Sequence, residues 1–411
     1  MFPLPPGVVY NTTLPDSGLS DDKLLTLIKE KYKSLETIDW QGGRLSGAVY
    51  NCGKHHDKLM AQMTSGGTES ILMACKAYRE RAYNLGIKNP EILAPRSAHA
   101  GFPKAAKYFK MRYIEVPMDP ETKLVNVRAM RKKISKNTCM LVVSAPSFPY
   151  GVVEQVEEIA ELGTRYNIPV HVDACMGGFI IPFAKRAGLD LPRVDFSVDG
   201  VTSISADAHK YGLAPKGSSL VLYKNTEYRL GQFYVNTDWC GGIYASPAVG
   251  GTRSGAIIAT CWATMMSVGV DGYMENAVKI IQTRAYIEEQ VREIPGLFVY
   301  GKPDVNILSI GSKCFDIYRL GSALTKAGWH MFTVQYPSGV NFVVTKMHTG
   351  PGIADAFLSS LKDCTSEIMK DPKAKAEGIA AVYGMAESIP DRSMVEEFVQ
   401  GYLEAYYSTT T

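Results

Sequence analysis

From residue 64 to about residue 225, short apolar runs alternate with amphipathic stretches, and this alternation constrains the fold of the chain more than any other feature. Strands that alternate with helices build a mostly parallel sheet wrapped by those helices. The apolar runs predict strands at Glu91–Ala94, Met140–Ser144, Pro169–Val172, Val201–Ser205 and Ser219–Tyr223. In the helix predicted over Ser70–Ala82, Ile71, Leu72, Cys75 and Tyr78 share one face. Val153–Asn167 reads as a crossover helix with Val156, Ile159, Ala160 and Gly163 turned inward. Gly255–Val268 is so apolar that it belongs in the interior or at an interface. From about residue 280 the texture changes: a long helix leads to strands at Leu297–Tyr300, Ile307–Ile310 and Val340–Val344, then to amphipathic helices. The expected organisation is an N-terminal segment over 1–63, a large α/β domain over 64–280 and a small α+β domain over 281–411.

Composition narrows the function classes. With 44 basic and 41 acidic residues the net charge is +3, which gives no reason to expect nucleic acid as a partner. No apolar run reaches the roughly 20 residues that span a bilayer. The opening residues Met1 to Leu14 lack the basic and apolar regions of a signal peptide. The eight cysteines occur singly, without CxxC spacing, so no metal site is expected. Cys75 and Cys261 lie in apolar runs and read as buried, reduced thiols of a cytosol-facing protein.

Four places carry chemistry. Thr64-Ser65-Gly66-Gly67-Thr68-Glu69-Ser70 precedes a helix; its glycines let backbone amides approach an anion, and Thr68 suits the N-cap. His99 follows the strand at Glu91–Ala94, and Asp173 ends an apolar strand where open α/β sheets bind ligands. Lys210, in Ser205-Ala206-Asp207-Ala208-His209-Lys210, is a candidate imine-forming amine, which requires its charge to be suppressed by burial or a cationic neighbour. Singly, each has a plain structural reading: a capped turn, a hydrogen-bonding histidine, a loop anchor, a surface lysine. Together they supply a phosphate cradle, a ring to stack on, an acid and an amine, the set that pyridoxal 5'-phosphate needs.

Around and after those four places, SGGTES, SAHA, HVDACMGGF, TSISADAHKYGLAPKGSSLVLY and TDWCGGIYASPAVGGTRSG resemble the sphingosine-1-phosphate lyase family, related to the group II decarboxylases. The likeness runs from about Leu45 to near the C-terminus. It implies a fold-type-I pyridoxal-phosphate transferase fold, with Lys210 as the Schiff-base lysine, Asp173 as the pyridinium partner and His99 stacked on the ring. It further implies cofactor-phosphate contacts from Gly66, Gly67, Thr68 and His209, with Thr252 contributed across a homodimer with shared active sites. Tyr50 and Lys216 would hold the substrate's own phosphate. The implied reaction cleaves a phosphorylated long-chain base to an aldehyde and phosphoethanolamine, in a protein associated with the endoplasmic reticulum where an N-terminal anchor exists. Two alternatives stay open: an amino-acid decarboxylase, and a catalytically impaired homologue. The second rests on Asn51 to Met63, thirteen residues where family members carry a few dozen more, including an Asn-Pro-Leu-His stretch. His55 and His56 in that segment read as a solvated turn.

Overall fold

The computed structural model describes residues 13–35, 60–374, 376, 389 and 391–407. The alternation resolves into a seven-stranded sheet of β1 (Met60–Thr64), β2 (Glu91–Pro95), β3 (Arg112–Val116), β4 (Thr138–Ser144), β5 (Val170–Asp173), β6 (Val201–Ala206) and β7 (Ser219–Tyr223), in the order β1-β7-β6-β5-β4-β2-β3. From β3 to β6 every pairing is parallel, and β7 is antiparallel to both its neighbours. Two reversals restore the direction, so β1 runs with β6. The C-terminal ends of β1, β2, β5 and β6 therefore open on one edge, where doubly wound sheets bind ligands.

Strands β2, β4, β5 and β6 are buried along their whole length, as continuous apolar runs in a sheet covered on both faces should be. The helix Gly67–Asn84 buries Ile71, Leu72, Cys75 and Tyr78, the predicted face. The crossover helix starts at Val156, three residues later than predicted, and buries Val156, Ile159, Ala160 and Gly163. The sequence reading did not separate out β1 and β3, the two edge strands.

The helix expected over Gly255–Val268 and the long helix expected from about residue 280 join in Gly255–Arg292, broken at Gly269 with φ of 65°. A Cβ there would lie 2.6 Å from the Gly18 nitrogen, so only glycine fits this turn of the chain. The apolar start of this helix is not interior: Gly255, Ala256, Ile258, Ala259 and Thr260 are exposed, which corrects that half of the expectation. Nearby, β8 (Tyr234–Asn236) and β9 (Tyr244–Ser246) form a two-stranded ribbon. Tyr234, Trp239, Ile243 and Val249 in and around it are exposed as well.

The chain divides into two compact units: Met1–Phe148 with Val152–Lys279, and Pro149–Gly151 with Ile280–Thr411. The second holds an antiparallel sheet of β10 (Leu297–Val299), β11 (Ile307–Ser312), β12 (Phe332–Val334) and β13 (Gly339–Val343), ordered β10-β11-β13-β12. Phe342 of β13 stacks on Phe357 at 3.9 Å between ring centroids, anchoring the helix Ile353–Lys370. Among the described residues, no helix is long and apolar enough to cross a membrane.

Candidate active site

The cradle follows β1 directly. Gly66 is the N-cap of the helix Gly67–Asn84, in extended backbone and without a side-chain cap, so Thr68 lies inside the first turn and not at the cap as expected. Leaving the first-turn amides uncapped keeps their partial positive charge available to an anion. The turn is packed from below: a Cβ on Gly67 would lie 2.7 Å from Asp207 Oδ2 and 2.9 Å from Cys175 Sγ. On Gly66 it would sit 3.8 Å from His209 Cε1. Glu69 accepts from the Ser65 amide at 2.7 Å and pairs with Arg253, whose neighbour Thr252 is exposed.

Asp173 closes β5 and is buried. Its Oδ1 accepts from the Cys175 amide at 3.1 Å and from the Ser205 hydroxyl at 3.0 Å. Burial opposes its charge, but the Cys175 hydrogen bonds and the imidazoles of His99 and His171 outweigh burial and hold the carboxyl below the usual range. Behind it runs a polar chain inside the sheet. His171 meets Ser205 through Nε2 at 3.2 Å and Ser203 through Nδ1 at 2.7 Å, and Tyr78 donates to Ser203 at 2.7 Å. Burial pushes His171 down to about 4, so it is neutral at pH 7. A Ser203 hydroxyl that donates to Nδ1 leaves Nε2 as the protonated nitrogen, and every donor then points towards the Asp173 carboxylate.

Lys210 follows β6. Its Nζ pairs with Asp207 Oδ2 at 2.8 Å. Burial disfavours the ammonium, but the Asp207 carboxylate, helped by Cys175 and Asp173, holds it above the ordinary lysine value. This overturns the expected suppression of charge, because the partner three residues upstream is an anion rather than a cation. His209 Nε2 lies 3.7 Å from the same Asp207 oxygen, while His209 Nδ1 is buried with no hydrogen-bond partner among the described residues.

His99 presents an exposed ring at the same edge, its Nδ1 accepting from the Gly101 amide at 3.0 Å. Lys216 is exposed on the turn before β7, close enough to lower the basicity of His209 alongside burial. The structure thus gathers Gly66, Gly67, Thr68, His99, Asp173, His209, Lys210 and Lys216 at one sheet edge; Tyr50 lies outside the described residues.

The comparisons agree with this geometry. The family model for the pyridoxal-dependent decarboxylase conserved domain matches residues 47–311. A sphingosine-1-phosphate lyase of Drosophila melanogaster is 46% identical over 98% of this chain and 82% of its own length. Sphingosine-1-phosphate lyase 1 of Rattus norvegicus is 44% identical over 97% of this chain and 78% of its own. The chain belongs to the sphingosine-1-phosphate lyase family. A solved sphingosine-1-phosphate lyase of Burkholderia pseudomallei matches it with a TM-score of 0.78 at 30% identity, covering 98% of both chains. A Lactobacillus brevis glutamate decarboxylase, at 22% identity and TM-score 0.66, shares the fold. This lyase-family chain is a pyridoxal-phosphate-dependent enzyme of fold type I. Its alignment with the fly protein runs over 447 positions, more than its own 411 residues, so the fly protein carries dozens of internal residues without a counterpart here.

Three buried groups near this sheet edge were not singled out from sequence. Asp207 was visible only as part of the lysine's motif. His171 was read as strand, since both its hydroxyl partners, Ser203 and Ser205, come from β6, over 30 residues away. Glu154 accepts from Ser97 Oγ at 3.0 Å and the Ser144 amide at 2.7 Å, and burial pushes it up to about 7. Nothing local to Glu154 in the sequence signals Ser97, 57 residues away.

Proposed function

We propose that this chain cleaves phosphorylated long-chain bases of the sphingosine 1-phosphate type at the bond between the amine-bearing and hydroxyl-bearing carbons. The products are a long-chain aldehyde and phosphoethanolamine. The observation that carries this is the convergence of an uncapped glycine cradle, an ionised carboxylate and a lysine on one sheet edge, in a chain 46% identical to a sphingosine-1-phosphate lyase. Pyridoxal phosphate, when bound, supplies the electron sink for the carbanion left by carbon–carbon cleavage. The residues fit that group: His209 Nδ1 is buried without a hydrogen-bond partner among the described residues, a position that an anion in the cradle would satisfy.

In this reading the amides of Gly66, Gly67 and Thr68, with His209, hold the cofactor's phosphate. Asp173, ionised and fixed by Ser205, keeps a proton on the cofactor's ring nitrogen through charge pairing. His99 would lie against the cofactor's ring and keep water from it. Lys210 Nζ would hold the cofactor, and as a free amine it would carry a proton to the product. Lys216 and Tyr50 bind the substrate's phosphate, with Thr252 acting across a homodimer. The exposed apolar residues Trp239, Ile243, Val249 and Ile258 support an interface on that side. Attachment to the endoplasmic reticulum would need a segment outside the described residues.

Two measurements test this. Product analysis should give an aldehyde; release of carbon dioxide from amino acids would favour the decarboxylase reading. Lys210→Ala should lose the borohydride-reducible cofactor adduct and about 10⁴-fold or more of the activity, as removal of a covalent catalyst does. The short segment before Thr64 supports a narrower expectation of impaired turnover. Restoring the family's longer stretch should raise activity about ten- to a hundredfold, by returning one charge-assisted phosphate contact; equal turnover would show that stretch to be dispensable.

A further inference from the structure

Asp207 lies within reach of two basic groups, Lys210 and His209. It is 2% exposed, with Oδ1 accepting from Ser219 Oγ at 2.5 Å and Oδ2 paired with Lys210 at 2.8 Å. A buried carboxylate needs a compensating charge, and a single neutral hydroxyl does not supply one. If Lys210 turns to the cofactor, the nearest other cation is a protonated His209, whose Nε2 lies 3.7 Å from the same oxygen. His209 Nδ1 would then become a charged donor, and Nδ1 is buried with no hydrogen-bond partner among the described residues.

We propose that Asp207 latches Lys210 in the cofactor-free protein and, as the cofactor is captured, hands the lysine's proton to His209. This rests on Lys210 being the cofactor lysine. The step balances. The Lys210 ammonium gives one proton through Asp207 to His209, and the neutral amine attacks the aldehyde carbon. The carbonyl oxygen leaves as water with the two remaining nitrogen protons. A carbon–nitrogen double bond replaces the carbon–oxygen one. The loop after β5 contributes Cys175, and β5 itself Asp173, both of which favour the charged lysine. The turn before β7 contributes Lys216, which disfavours charge on His209. The arriving phosphate dianion reverses that last effect, so capture of the amine and grip on the phosphate become one event.

Comparing pyridoxal, which lacks the phosphate, with pyridoxal 5'-phosphate separates the two halves. Asp207→Asn keeps the volume and the Ser219 contact but removes the charge. At pH 7 it should form the borohydride-reducible adduct with pyridoxal about tenfold faster than the unaltered protein, since Lys210 is released from its ion pair. It should hold pyridoxal 5'-phosphate about tenfold more weakly, since His209 loses its counter-charge. A rate with pyridoxal no faster than that of the unaltered protein, or unchanged retention of pyridoxal 5'-phosphate, would overturn the proposal. The unaltered protein gives an arm that does not depend on the variant's folding: its rate with pyridoxal should climb without a plateau to pH 10, and a plateau below pH 9 would overturn the latch. Failure of the underlying reading looks different, because the adduct would then survive in Lys210→Ala.

Discussion

The edge of the sheet at β5 and β6 and the exposed stretch from Tyr234 to Ile258 invert the usual distribution of side chains in opposite ways. The first buries Asp173, Asp207, His171, Ser203 and Ser205. The second leaves Trp239, Val249 and Ile243 in the open, the last 78% exposed. Buried polar groups persist only where partners satisfy them, and exposed apolar groups cluster only where something is to cover them. The first inversion is closed within one chain, and its hydrogen bonds can be followed atom by atom. One protomer suffices to shape the cofactor-binding edge, whereas the exposed stretch is what the homodimer proposed above would cover.

The largest effect expected from breaking this contrast concerns two buried groups of the polar edge that offset one another. His171 is depressed to about 4 and Glu154 raised to about 7. The histidine adds stability above the unfolded histidine value of about 6.5, and that stability is lost as pH falls through 4. The glutamate contributes in the opposite sense, present below its unfolded value of about 4.3 and lost as pH rises through 7. Each contributes about 3 kcal/mol across nearly the same window, so the unaltered protein should be almost flat between pH 4.5 and 6.5. Glu154→Gln should lose stability as pH falls, and His171→Asn as pH rises, in thermal melts at matched ionic strength. A steep slope in the unaltered protein would mean that the two do not offset.

A smaller effect is expected on the apolar side. Ile243→Asp should weaken self-association by about 2 kcal/mol, roughly thirtyfold, while leaving the melting of the isolated chain within about 0.5 kcal/mol. Sedimentation velocity across a dilution series reads this directly. An unaltered dissociation constant would remove this stretch from the interface.

Legibility in the sequence followed the same division. The central strands β2, β4, β5, β6 and β7 were readable because each is an apolar run bounded by breaks. Asp173 and Lys210 were readable because each follows such a run. The edge strand β3, Arg-Tyr-Ile-Glu-Val, escaped because edge strands carry charges that blunt their pairing, and those charges hide the apolar signal. The charge state of Lys210 was misread for a related reason. Whether Asp207 faces the amine depends on Ser219, brought opposite by the β6–β7 register, and no local pattern encodes that. The exposure of Gly255–Thr260 was ambiguous from composition alone, since an apolar helix reads alike whether its own chain or a second one buries it.

The place of β1 has a consequence for biosynthesis. Met60–Thr64 is made early, yet among the described residues its partner in the sheet is Ser219–Tyr223, with Met60 opposite Tyr223. At about 5–20 residues per second, a ribosome needs about ten to thirty seconds to deliver that partner after β1 emerges. Until then the strand that aims the glycine turn has nothing to pair with, and the turn has no fixed direction. Cofactor capture therefore belongs to the end of synthesis of the large unit, and a nascent chain stalled before residue 219 should not retain pyridoxal phosphate, however well its earlier strands have formed.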